Sequence, residues 1–124
     1  MTNRQLGALI THTTASAGVT GGDQDGSQHK GILVFVRISA ITGTSPTLTV
    51  TLEGKDATSG QYYTVLASAA LNATGLTVLK VYPGLTASAN VAVNDVLPPN
   101  WRVKTAIGGT GPSVTATVSA ALIG

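Results

Sequence analysis

The sequence predicts an all-β protein of one domain, an antiparallel β-sandwich or jelly roll with an extended N-terminal arm. Apolar residues alternate with Thr and Ser along short stretches, and clusters of turn residues separate these stretches. No stretch has the apolar periodicity of an amphipathic helix. The length of 124 residues suits one domain. About seven or eight short strands without helices are typical of sandwich folds.

Residues 1–30 are predicted to form the arm, and residues 31–124 the β-sandwich domain. Residues 1–14 have the alternation of one short strand, whereas residues 15–31 are polar and rich in Gly, with almost no bulky apolar side chain. Loops of this length often make contacts or carry function. We expect the arm to dock on a neighbouring molecule or on the chain's own sheet.

One internal repeat provides the expected centre of the sandwich. Phe35–Leu52 returns without a gap as Trp101–Val118, at a constant offset of 66 positions (109 − 43 = 66). In each copy an apolar stretch leads through Gly, Thr and Pro into a second stretch that alternates with Thr. This order predicts a β-hairpin in each copy, with turns at Thr42–Pro46 and Gly108–Gly111.

The remaining elements lie between the two copies. The clearest turn contains Asp56, which can accept hydrogen bonds from its own backbone, and Gly60, which can take a positive φ. In chain order we predict a turn at 54–60, a strand at 61–67, a loop or one helical turn at 68–74 and a strand at 76–82. A turn at Pro83-Gly84, a mixed stretch at 85–97 and a stiff, non-helical connection at 97–100 follow.

The composition favours a protein that packs against copies of itself or against partners. Charged residues make up 10% of the chain, compared with roughly 25% in ordinary soluble domains. The seven Lys and Arg residues are scattered and aromatic residues are few, so we expect no nucleic-acid binding. We also expect no membrane insertion, because no apolar run reaches the roughly 18 residues of a transmembrane span. The N-terminal apolar run is too short for a signal peptide.

The reactive side chains argue against catalysis, so we expect no enzyme and no cofactor. Most of the five acidic residues lie in predicted loops, and no G-x-S-x-G turn is present. Asp23 and Asp25 have the spacing of a calcium loop, but no further oxygen ligands and no closing Glu follow. His12 and His29 have no Cys or Glu nearby, so a zinc site is not expected.

Candidate partner-contact residues fall into two groups. The first group lies on the arm, which would become ordered on a neighbour, and comprises Arg4, Leu6, Ile10, His12 and His29. The second group consists of aromatic residues that either stack on a sugar or pack in the core, namely Tyr62, Tyr63 and Trp101. In addition, Arg37 is expected to pair with Glu53 across the first predicted hairpin.

Four runs of residues are distinctive as a set. They are Ile41–Val50 (ITGTSPTLTV), Gly54–Tyr63 (GKDATSGQYY), Val81–Leu85 (VYPGL) and Asp95–Val103 (DVLPPNWRV). Together they resemble a family of small structural proteins, head decoration or minor virion proteins, of tailed bacteriophages and prophages. The similarity covers about residues 31–123.

The resemblance implies a non-enzymatic virion protein that is made in the cytoplasm of the bacterial host. A head decoration protein would bind the major capsid protein on the outside of the lattice, often as a trimer, and so contact copies of itself. The low charge and the polar arm favour this placement over a component of the tail or the head–tail junction. An alternative from another class is a carbohydrate-binding β-sandwich, in which the aromatic candidates would contact a glycan.

Overall fold

The computed structural model describes residues 4–124, and these confirm the predicted all-β class. They form seven strands, which differ greatly in length. The strand bounds are β1 Arg4–Ala15, β2 Gln24–Asp25, β3 Gly31–Lys55, β4 Tyr62–Ala67, β5 Gly75–Val81, β6 Ala92–Val93 and β7 Asn100–Ile123.

All seven strands belong to one sheet that does not close on itself. The strand order is β1-β7-β3-β5-β6, with β2 also paired to β7 and β4 also paired to β3. Every pairing is antiparallel except that of β5 with β6. The two separate sheets of a sandwich or jelly roll are therefore not seen. The reason is that β3 and β7 each continue through both halves of the molecule.

The two copies of the internal repeat lie on β3 and β7, which pair with each other along their whole length. The ladder begins at Gly31 and ends at Gly54 of β3. The prediction of one hairpin per copy is therefore wrong, because neither copy folds back on itself. Thr44 lies opposite Thr110, its own counterpart at the offset of 66. A pseudo-twofold axis at this pair thus relates the two copies.

The residues predicted to form hairpin turns instead bend the two long strands. Gly43 and Gly109 have φ values of 129° and 103°, and register shifts interrupt the ladder on both sides of Thr44. Pro46 and Pro112 lie in the interrupted stretches, where no ladder N–H is needed. Gly and Pro serve a bulged bend as well as a hairpin turn, so the local signal does not reveal the pairing partner.

The bend brings the two halves of the long strands into one core. A flat strand with the 25 residues of β3 would be about 80 Å long, whereas a compact domain of this size is roughly 35 Å across. The middle of β3 is mostly exposed, and apolar side chains on both sides of it join a single buried cluster. On β3 these are Ile32, Val34, Val36 and Ile38 before the bend and Leu48, Val50 and Leu52 after it.

The segment 4–25, which lies within the predicted arm, follows β7 on the chain's own sheet, the second of the two placements expected for it. β1 pairs with the second half of β7, and β2 pairs with the first half. Ile10 and His12 of this segment are only 5% and 3% exposed. In the same way, β4 and β5 follow the two halves of β3.

The pseudo-twofold symmetry includes these flanking segments. Ile10 lies opposite Val118 on β7, and Leu66 lies opposite Leu52, the counterpart of Val118 at the offset of 66. All four side chains are buried. Each half of the chain therefore covers the long strand of the other half, and neither half forms a complete sheet by itself.

One residue breaks the symmetry and decides which way the large side chains point. A register shift at Ser39 of β3 has no counterpart in the first half of β7. An extra residue moves every side chain beyond it to the opposite face of the sheet. Trp101 consequently points into the core, at the position in its half of the sheet that corresponds to Val34 in the other half. Phe35, the residue that matches Trp101 in the gapless repeat, lies on the outer face and is half-buried.

Candidate functional site: a charged cluster around Tyr62

The ion pairs found among residues 4–124 all lie in one cluster on the outer face of the sheet, where β3 ends and β7 begins. Strand pairing places its members, because Glu53 lies opposite Arg102 and Lys55 lies opposite Tyr62. The cluster holds five of the twelve charged residues of the chain (seven Lys and Arg, five Asp and Glu). This charged cluster consists of Asp23, Glu53, Lys55, Tyr62, Arg102 and Lys104.

Glu53 is the buried acid at the centre of the charged cluster. Its side chain is 7% exposed, Arg102 Nε donates to its Oε1 at 2.8 Å, and Lys104 Nζ lies 3.0 Å from its Oε2. Burial opposes ionisation of this carboxyl, but the hydrogen bonds and charges of Arg102 and Lys104 outweigh burial and lower the pKa of Glu53. The ionised carboxylate therefore joins β3 to β7.

Tyr62, the first residue of β4, joins the residues before β2 to the charged side chains of β3 and β7. The guanidinium carbon of Arg102 lies 3.3 Å from the centroid of its ring, and Lys55 Nζ lies 5.5 Å from it, which are cation–π distances. The Tyr62 hydroxyl donates to Asp23 Oδ1 at 2.6 Å, and Lys55 Nζ donates to Asp23 Oδ2 at 3.0 Å. The hydrogen bond from Tyr62, followed by that from Lys55, lowers the pKa of Asp23.

The arrangement of the charged cluster suits a structural role better than a catalytic one. Both of its acids have lowered pKa values and accept hydrogen bonds from the chain itself, so neither is a free general base. The cluster ties β3, β4, β7 and the residues before β2 together at one end of the sheet. The ring face under Arg102 is not open for stacking on a sugar.

The three aromatic candidates are neighbours in the fold but have different surroundings. Trp101 is fully buried, Tyr62 is half-buried, and Tyr63 is 50% exposed. A Cβ added to Gly54 would lie 2.5 Å from Tyr63 Cζ and 2.7 Å from Pro98 Cγ, so glycine is needed where the Tyr63 ring lies across the end of β3. Of the three rings, that of Tyr63 offers the largest free surface.

The five candidates on the N-terminal segment also have different surroundings. Arg4 is exposed, Leu6 and His29 are half-buried, and Ile10 and His12 lie in the core. The side chains of Ile10 and His12 are therefore enclosed by the chain's own strands. The candidates of this group with accessible side chains are Arg4, Leu6 and His29.

His12 is a buried polar residue that links the two halves of the sheet. Its Nε2 lies 2.8 Å from Thr105 Oγ1, which also accepts a hydrogen bond from the backbone N–H of Val19 at 2.9 Å. β1 places His12 opposite Ala116 in the second half of β7, whereas Thr105 lies in the first half. The bond therefore crosses the core, and burial lowers the pKa of His12 below its ordinary value of 6.5.

The sequence analysis did not predict that the residues of the charged cluster lie together. It paired Glu53 with Arg37 because it assumed that Phe35–Leu52 folds back on itself. The observed partner of Glu53 is Arg102 on the other copy of the repeat, and Arg37 lies opposite Leu76 of β5. A usable signal was present in the sequence. Glu53 and Lys55 follow the first copy, and Arg102 and Lys104 stand at the start of the second copy. Residues at these positions come to lie close together when the two copies pair as antiparallel strands.

The residues that the structure describes show neither a metal-binding group nor a helix that could span a membrane. Within residues 4–124, no three side chains of His, Asp or Glu are grouped so that they could hold a metal ion. The same residues include no helix with the length and apolarity needed to cross a bilayer. Comparison with protein-family models, curated proteins and solved structures gives no match for this chain. The resemblance to virion proteins rests on the four runs of sequence.

Replacing Arg102 by Ala should lower the free energy of unfolding by about 2–3 kcal/mol, because it removes one partner of the buried Glu53 carboxylate and uncovers the Tyr62 ring. Urea denaturation at neutral pH measures this loss. Arg37→Ala is the matched control, since Arg37 is exposed and has no ion pair within residues 4–124, and it should cost less than about 0.5 kcal/mol. Equal losses in the two variants would contradict the role of the cluster.

His12 should make the protein less stable as the pH falls from about 7 to about 5. The pKa of His12 is lower in the folded protein than in the unfolded chain, so the unfolded chain takes up the proton at a higher pH. The free energy of unfolding therefore falls as the pH drops from the ordinary pKa of 6.5 toward the lower pKa of the folded state. The carboxyls titrate mainly below this window. Denaturation curves across the window should lose this slope in His12→Gln and retain it in the control His29→Gln. An unchanged slope in His12→Gln would rule out this origin.

Proposed function

We propose that this chain is a non-enzymatic structural protein of a tailed-bacteriophage or prophage virion, made in the cytoplasm of the host. In this proposal it decorates the outer surface of the head lattice. Its partners there are the major capsid protein and further copies of itself. The sheet acts as a scaffold that presents contact surfaces.

The observation that supports this proposal most is the distribution of charge. Five of the twelve charged residues contact one another in the charged cluster, and Thr, Ser, Ala and Gly make up much of the remaining chain. Burying a charge against a neighbour carries a large desolvation cost, whereas hydroxyl and methyl groups are buried at much lower cost. A surface of this kind is suited to tight packing in a lattice.

The runs that resemble the virion family lie where this fold depends on them. Gly54–Tyr63 provides Tyr62 and Asp95–Val103 provides Arg102, and these two side chains stack on each other. Ile41–Val50 contains the bend of β3. Sequence signatures that specify an architecture rather than a reactive group are what we expect for a structural protein.

The proposal includes a sandwich-like arrangement of the bent sheet, with the parts before and after the bend as its two layers. The single core shared by both parts supports this arrangement. So does the bond between His12 and Thr105, which joins β1 to the opposite half of β7. A body with two layers would keep its shape when neighbours press on one face.

Two alternatives remain distinct from head decoration. A component of the tail or the head–tail junction would share the fold but be present in few copies. A carbohydrate-binding module is favoured by one feature, the exposed ring of Tyr63 beside the turn at Asp56–Gly60. The other two aromatic candidates, Tyr62 and Trp101, are covered by the chain's own residues.

In purified particles of the phage that encodes this chain, we expect a copy number comparable to that of the major capsid protein, because a decoration repeats with the lattice. Quantitative gel densitometry against the capsid protein measures the ratio. A few copies per particle would favour the tail or junction instead. Absence from particles would contradict the virion proposal, and glycan binding that is lost in Tyr63→Ala would then favour the carbohydrate-binding module.

A further inference from the structure

The outer face formed by the first half of β3 and by β5 carries apolar side chains. At the corresponding positions of the other half of the sheet lie the side chains of the charged cluster. Ile32, Val34 and Val36 of β3 and Leu79 of β5 are buried, which shows that the side chains alternating with them point to the outer face. Pairing of β3 with β5 forms three rows on this face, Leu33 with Lys80, Phe35 with Val78, and Arg37 with Leu76. We call Leu33, Phe35, Leu76 and Val78 the apolar face.

The pseudo-twofold axis relates the apolar face to the charged cluster. Arg102 and Lys104 occupy on β7 the positions that Phe35 and Arg37 occupy on β3. The long side chains of the cluster cover the outer face of their half of the sheet. On the apolar face, by contrast, Leu76 is 62% exposed. Leu33, Phe35 and Val78 are half-buried, so the apolar face is partly open and is most accessible at Leu76.

The edge of the sheet beside the apolar face is open as well. β6 pairs only with the last two residues of β5, Lys80 and Val81. The backbone N–H of Lys80 points away from β3, toward the carbonyl of Val91. Every second N–H of a strand points to the same side, so the N–H groups of Leu76 and Val78 also point away from β3. Among residues 4–124 no strand pairs with this part of the edge. It can accept an added strand.

The charges at this surface indicate which strand it would accept. Arg37 and Lys80 are exposed on the rows of the apolar face, and neither has an ion pair within residues 4–124. Carboxylates on a partner would complement them. A second copy offers no extended segment in which apolar side chains alternate with accessible carboxylates, because Glu53 is buried beneath Arg102 and Lys104, Asp25 lies in the two-residue strand β2, and Asp23, Asp56 and Asp95 lie outside the strands. The complementary partner is therefore a different protein.

A shallow cavity lies at one end of the apolar face. It has a volume of about 230 Å³, and its walls are almost entirely apolar. Leu33, Lys80, Tyr82, Leu85 and Ile123 are among the residues that line it. A space of this size accepts an apolar side chain, which would anchor the end of an added strand.

We propose that the outer edge of β5 and the apolar face bind an extended segment of another protein, whose apolar side chains alternate with or are flanked by carboxylates. The segment pairs with the backbone of Leu76 and Val78, lays its apolar side chains over the apolar face and brings its carboxylates to Arg37 and Lys80. This inference rests on the proposed function, in which the segment belongs to a protein of the head lattice.

The test uses particles purified from a phage that lacks the gene for this chain, and the full-length chain added back at increasing concentration. Leu76→Glu places a negative charge on the apolar face, and Leu76→Pro removes an N–H that pairs with no strand of residues 4–124. Val19→Glu is the matched control, because Val19 is a 46% exposed apolar residue beside Thr105 on the other half of the sheet. Thermal unfolding establishes that each variant is folded.

We expect the wild-type chain and Val19→Glu to saturate the particles with affinities within about twofold of each other, and each Leu76 variant to bind at least about tenfold more weakly. Arg37→Glu combined with Lys80→Glu should weaken binding to a similar extent. Wild-type binding should also weaken with added salt.

Two failures are distinguishable. If the wild-type chain binds and folded Leu76→Glu binds equally well, the docking surface is wrong while the proposed function stands. If the wild-type chain does not bind particles at all, the proposed function fails and this inference fails with it. Should Leu76→Pro not fold, Leu76→Glu and the charge reversals still decide the matter.

Discussion

The pairing of β3 with β7 is the interaction on which the rest of the structure depends. It joins the two copies of the repeat around Thr44 and Thr110, and both flanking segments find their hydrogen-bonding partners on these two strands. The bend that makes the pair compact needs glycine, because a Cβ at Gly109 would lie 2.6 Å from the carbonyl oxygen of Ser45. Since the pairing joins residues far apart in sequence, both halves of the chain must be present before the sheet can form.

The duplication gives two outer faces that have the same backbone and different chemistry. On one face the carboxylate of Glu53 pairs with both Arg102 and Lys104 of β7, and Arg102 stacks on Tyr62. On the other face a single register shift leaves Phe35 on the outside, and Arg37 forms no ion pair within residues 4–124. Under the proposed function, the face around Leu76 is the one that would contact a neighbouring protein.

Local signals in the sequence correctly predicted β4, β5 and the turn between β3 and β4. Alternation and turn residues placed β4 and β5 within one residue of their observed ends, and Asp56 caps its turn as expected. The pairing of β3 with β7 was not predictable, because a bulged bend and a hairpin turn contain the same residue types, glycine and proline. That one error misassigned Glu53 to Arg37. The extra residue at Ser39 similarly hid that Trp101 is in the core while Phe35 is not.

The central claim, that each half of the chain completes the sheet of the other, is tested most directly by removing residues 1–25. Equilibrium unfolding in urea of residues 26–124 should show no cooperative transition, because β7 becomes a bare edge and the core loses Ile10 and His12. Adding a synthetic peptide of residues 1–25 should restore the transition. A truncated chain that unfolds cooperatively at the midpoint of the full-length protein would contradict the claim.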